Sequence, residues 1–287
     1  MPDASADAGA QSPDTTTQPM MWFVIVTCIY FIIRYVTSTK DGVPNEERVK
    51  TQRTWAGVYM LLLVAGEFFI NLRVTNQICG SNQWGTTFYM TFAPWILIFG
   101  VVNIMLMVFP GWVSPFSNTV GYAFASMAGV SALMGKIFRF RAPGEKEERK
   151  EDPQTAELLG RIYADKSLLL NEITQESFDD FWTNMWPLFR PSTQAASNPP
   201  GPDGNNPLKH KLLSMVILKD TVGMFCWYLL TGMVVVGVSM NYVMGAGCTR
   251  TSEEIKERHE KYLEEEAQAR EAKASAGPPR VYTNTGR

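Results

Sequence analysis

A chain of 287 residues with a formal net charge of −2 holds no basic excess that would point to nucleic acid. Its only histidines, His210 and His259, have no paired carboxylate or cysteine at ligand spacing, so no metal site and no cofactor are expected. No G-x-S-x-G, phosphate-binding loop or H-E-x-x-H occurs either, so the chain is not read as an enzyme acting on a small-molecule substrate.

The apolar residues, 46% of the chain, are gathered into long runs. Residues 1–19 come first, with Asp3, Asp7 and Asp14 and no Lys or Arg. They lack the basic start of a secretory signal and read as a disordered leader. Apolar runs follow at 20–36, at 54–72 with Glu67 as its one charge, and at 88–109, which is uncharged for 22 residues. The run 222–244 is uncharged for 23 residues. A hydrocarbon core of about 30 Å needs roughly 20 helical residues, so all four are read as membrane spans. The expected fold is all-α, a multispan helical membrane protein.

Lys40, Arg48, Lys50 and Arg53, with Arg34 at the end of the first span, place the first loop in the cytosol and the N-terminus outside. The second connection, 73–87, is then exoplasmic and carries Cys79. In FPGWVSPFSNTVGY, residues 109–122, Pro110 stops the third span, Gly111 relieves the bend and Trp112 can anchor at the interface. The segment 119–136 is apolar but rich in Gly, Ala and Ser, a marginal fifth span. A full crossing there would put Lys136, Arg139 and Arg141 outside, against the charge rule, and a re-entrant or buried segment avoids that conflict. With four spans Cys79 and Cys248 share the exoplasmic side and a disulfide is sterically open to them; with five, Cys248 is cytosolic. The N-terminal membrane region is bounded at 20–138.

Residues 139–207 form an extramembrane helical region that ends in a linker. Asp152-Pro153 starts a helix running to about Asn171, and Ser177 with Asp180 signals a second start. In that second helix Phe178, Phe181, Trp182, Met185, Trp186 and Phe189 recur on one face. The face has three readings: packing on Leu158, Leu159, Ile162 and Leu169, lying in the lipid interface, or docking another protein. Phe178, Phe181, Trp182, Trp186 and Phe189 are therefore the partner-contact candidates. Pro191 to Pro207 reads as a Pro/Gly linker. Residues 208–244 are an amphipathic approach to the last span and the span itself. Residues 245–287 are a charged helix, with Thr251 and Glu254 as a capping box, followed by a flexible tail.

Glu67, Asn71 and Asn103 are the intramembrane polar residues. Glu67 lies five residues before Leu72, about 7.5 Å from that end of the run at 1.5 Å per residue, within reach of water. An interhelical polar contact is the preferred reading. A small transporter or channel with these three residues lining a path is the alternative.

Cys79-Gly80, FYMTFAPW at 88–95, FPGW and PFSNTVGY together resemble multispan membrane proteins of nucleocytoplasmic large DNA viruses, of the chlorovirus-like kind that serve as transmembrane minor capsid proteins. The resemblance covers about 76 to 122. It implies a structural role in which spans anchor in the virion's internal membrane, with host endomembrane as the site of assembly, while polar segments meet capsid subunits. The leader, the helices of 153–190 and the charged tail lie outside it. Their assignment to shell contact rests on their own residues.

Overall fold

The computed structural model describes residues 13–40, 45–138, 166–245, 247–248 and 252–275. Among them helices dominate, and the only β pairings are the isolated bridges Phe138↔Phe189 and Asn198↔Asn205. Four helices are long and apolar enough to cross a membrane, as in an integral membrane protein. They are α1 (Pro13–Ser38), α2 (Asn45–Cys79), α3 (Trp84–Val108) and, last in the chain, a helix over Pro207–Met244. The expected all-α multispan fold is what is seen.

Each helix reaches beyond its apolar run. The leader's last residues, from Pro13, already belong to α1, so the disordered reading of 13–19 is corrected. α2 exceeds its run of 54–72 at both ends, and Gly80 closes it with φ +62°, a left-handed conformation that a Cβ would penalise. α3 ends where Phe109, at φ −124° and ψ 74°, leaves helical geometry before Pro110, because the residue preceding a proline is sterically kept out of it.

The marginal fifth span is a broken pair. α4 (Pro110–Met127) and α5 (Val130–Ile137) meet at a bend of 79°. Gly129, at φ +95°, supplies the left-handed residue at the break. α5 does not continue the direction of α4 but joins a core outside the four-helix bundle. There Val130, Leu133, Met134, Ile137 and Phe138 pack with Leu170 of α6 (Lys166–Asn171), with Ile173, and with Phe178 and Trp182 of α7 (Phe178–Met185). The expected boundary between 138 and 139 therefore falls inside a packed unit.

The expected linker is ordered. α8 (Pro191–Ala195) and the bridge Asn198↔Asn205 fold it back, and Asn206, fully buried, donates through Nδ2 to Thr193 O at 2.8 Å and Ser197 Oγ at 2.9 Å. Asn206 Oδ1 also accepts from the Leu208 amide at 2.9 Å, which caps the next helix, with Pro207 as its first residue. A linker is flexible only while its polar groups have no better partner than water, and here they find one another.

That helix, α9 (Pro207–Met244), has 38 residues and no break between approach and span. At 1.5 Å per residue it is about 57 Å long against a hydrocarbon core of about 30 Å, so it spans and still projects by several turns. Leu212 and Val216 on the projecting part are fully buried in the extramembrane core. The charged helix, α10 (Ser252–Ser275), is solvent-exposed along the side chains described, with Glu266 and Arg270 paired at 2.8 Å. The capping box at Thr251 and Glu254 lies outside the described side chains.

Candidate functional site in the membrane bundle

The bundle is built from aromatic contacts and close approaches. A Cβ on Gly232 would fall 2.1 Å from the Phe23 ring, and one on Gly66 would fall 2.2 Å from the Trp22 indole, so α1 lies against both α9 and α2. Trp22 Nε1 donates to Leu63 O at 3.3 Å. Towards the Ser38 end of α1 Tyr30 stacks on Tyr59 at 4.4 Å, with Tyr228 and Phe99 edge-on at 5.1 Å to each other. Ile25, Ile29, Ile32 and Val36 face outwards on α1 at helical spacing, as lipid-facing residues do.

Polar side chains sit inside this packing at two levels. Near that same end, Tyr228 Oη donates to Asn103 Oδ1, while Asn103 Nδ2 donates to Phe99 O at 2.9 Å. Thr27 and Tyr59 share a hydrogen bond at 3.0 Å. Nearer the Cys79 end of α2, Asn71 Nδ2 donates to Thr91 Oγ1 at 3.0 Å and to Ser239 Oγ at 3.1 Å, which ties α2, α3 and α9. Asn71 and Asn103 are thus joined to other helices rather than set along an aqueous path. Between the two levels lie Phe23, Leu63, Trp95 and Val235, each fully buried.

Glu67 departs from the expectation. It is 0% exposed, and neither carboxyl oxygen has a hydrogen-bond partner among the described residues. The short distance to Leu72 does not bring it to water, because α2 runs on to Cys79, about 18 Å beyond Glu67. The i+4 neighbour Asn71 shares its face, and Thr75 is buried one turn further.

Where α9 enters its apolar run is a node that no sequence motif marks. Lys219 is 1% exposed, and its Nζ donates to Leu170 O and Ile173 O, both at 2.9 Å, and to Asn118 Oδ1 at 3.4 Å. Asp220 Oδ1 accepts from Ser117 Oγ at 2.7 Å, and Oδ2 accepts from the Gln175 amide at 3.3 Å. The ammonium thereby adds a donor to carbonyls at the end of α6 and just after it, where Leu170 O also accepts from the Ile173 amide at 3.2 Å, and the carboxylate holds α4 and the turn before α7. Around it Gly121 and Gly223 let α4 and α9 meet: added Cβ atoms would lie 2.2 Å from Lys219 O and 2.6 Å from Ser117 N. The signal that could have found this node is a Lys-Asp pair at the threshold of an apolar run, one turn from a glycine.

The aromatic face resolves towards packing. Phe178, Trp182 and Phe189 are buried, and Phe181 and Trp186 are partly buried against the same core. As partner-contact candidates the first three are corrected, because a helix in water turns its largest apolar side chains towards whatever core is in reach. Leu169 is among their neighbours, as expected, but α5 and α9 supply most of the surface; Leu158, Leu159 and Ile162 lie outside the described residues. Ser177 does not form the expected capping box. Its hydroxyl accepts from the Thr174 amide at 3.1 Å instead. The outward side of α7 and the turn after it is polar, with Asp179, Asp180, Thr183, Asn184 and Pro187 exposed. Lys209 pairs with Asp179 at 2.8 Å.

At the opposite end Cys79 and Cys248 form a disulfide, with Cα atoms 5.4 Å apart. The bond joins two segments that the charge rule places together when four helices cross.

The sequence matches no family model, and neither a curated protein nor a solved structure is significantly similar to it.

Proposed function

We propose that this chain is a non-enzymatic structural membrane protein that fixes a protein layer to a bilayer, in the setting the resemblance implies: capsid subunits outside an internal virion membrane. What supports this reading above all is α9, which runs unbroken from the bundle into the extramembrane core and is clamped there by Lys219 and Asp220. A body carried on a continuous helix transmits position, whereas one on a flexible tether does not. The polar outer face of α7 and the exposed α10 are then the contact surfaces on the two sides of the membrane.

Cross-linking mass spectrometry on particles or membranes from the native source tests this. Links from Lys209 or Lys211 near α7, or from Lys256 or Lys261 on α10, to subunits of a protein shell are expected. Links within this chain alone overturn the reading. In sealed vesicles of known orientation, an impermeant thiol reagent is expected to label Cys248 from the exoplasmic side only after reduction. A transport path through Glu67, Asn71 and Asn103 fits less well, since Phe23, Leu63, Trp95 and Val235 fill the space between their levels. A flux in proteoliposomes that Glu67→Gln abolishes would reverse that preference.

A further inference from the structure

The Asn71 amide has a fixed sense, and the reason begins at Pro94. A proline has no N–H to offer the carbonyl four residues earlier, so Met90 O lacks its helical donor. Ser239 Oγ donates to that oxygen at 3.0 Å. A hydroxyl has one proton, so towards Asn71 Ser239 can only accept, and Asn71 must present Nδ2 to it. The second amide proton goes to Thr91. Asn71 Oδ1 is left pointing away, buried and without a donor among the described residues.

Glu67 stands one turn earlier on the same face, with both oxygens equally bare. Residues four apart on a helix have Cβ atoms about 5–6 Å apart, within reach of a direct bond between these side chains. As a carboxylate beside an amide oxygen, the pair would offer lone pairs and no hydrogen. No charged side chain stands beside it. At its level α1 presents Trp22, α3 presents Trp95 and α9 presents Val235, as the contacts at Gly66, Thr91 and Ser239 set the register. The ionisable side chains of the packed helices lie a turn and a half or more away along the axis: Tyr30 and Arg34 on α1, Tyr59 and Arg73 on α2, Tyr89 on α3, Tyr228 and Tyr242 on α9. An isolated charge so placed is neutralised rather than kept.

We propose that Glu67 is a proton-binding site of the bundle: it is held as the neutral acid, and its O–H is donated to Asn71 Oδ1. One proton joins the two orphaned side chains and adds no charge to the membrane interior, leaving the acid's other oxygen and the unpartnered Trp95 Nε1 at the same level. An alkali cation would need several more oxygen ligands, and Thr87 Oγ1, also unpartnered among the described residues, lies eight residues, about 12 Å, along α3 from Trp95.

Infrared spectroscopy of the full chain in phosphatidylcholine nanodiscs at pH 7 reads the site directly. The wild type is expected to show one protonated-carboxyl stretch that is missing from Glu67→Gln and shifted in Glu67→Asp, unchanged on replacing sodium by choline. Gln keeps the shape and donates its own N–H to Asn71 Oδ1, so the variant should insert and form the Cys79–Cys248 bond. If it does not, a pH titration of the wild-type band replaces the comparison, and the band must persist at pH 7 and vanish in alkali. Identical protonated-carboxyl spectra of wild type and Glu67→Gln, or a wild-type band that is absent at pH 7 or appears only without sodium, would overturn the proposal.

Discussion

One helix serves two solvents, and its two halves are packed by different rules. In the projecting part of α9, Leu212 and Val216 close an extramembrane core around Trp182, Phe178 and Phe189, much as any soluble core is closed. In the spanning part the same helix presents Gly223, Gly232 and Ser239 to its neighbours. Water drives apolar side chains together, but a lipid tail is as apolar as leucine, so between spans only close approach and hydrogen bonds distinguish one neighbour from another. Large apolar residues close the body, and the bundle sets small and polar residues among its large aromatic ones.

That contrast can be broken from either side, and the largest effect is expected in the body. Trp182→Ala should remove about 3–5 kcal/mol from the extramembrane core. Limited proteolysis should then cut between 166 and 206 while the disulfide-linked bundle survives. Simultaneous loss of the bundle would mean that the two cores are one cooperative unit. Next, Gly223→Val should cost about 1–3 kcal/mol by overpacking against Ser117, read as a lower midpoint of thermal unfolding in detergent. An unchanged midpoint would show that the α4–α9 contact is looser than described.

Lys219→Met tests the node where the two regimes meet. It keeps the stem and strips the donors from Leu170 O and Ile173 O, for about 1–3 kcal/mol, with faster amide exchange confined to 166–177. Protection unaltered in that segment would argue that water replaces the ammonium. The smallest change is expected for Ser239→Ala, about 0.6–1.7 kcal/mol by the measured range of interhelical hydrogen bonds in a bilayer. A larger loss would make the Met90–Ser239–Asn71 chain cooperative.

The four spans were legible because each apolar run declares its own preference for hydrocarbon, whatever the rest of the chain does. The bend at Pro110 followed from a proline's own geometry. The disulfide was legible only as an option, since it required a topology to bring residues 169 positions apart to one side. Polar residues inside the spans could be named, but not their partners: nothing about Asn71 alone points to Ser239.

What the sequence by itself determined is therefore what a segment can settle with its solvent: helix, span, and an aromatic face that had to be covered. Only the tertiary structure decided what covers it, why residues 191–207 are folded rather than slack, and which glycine admits which neighbour. It also decided that Glu67 is sealed, although the apolar run carrying it ends close by. These depend on where other helices stand, and a hydrogen bond or a missing Cβ has meaning only once a second surface is within a few ångströms.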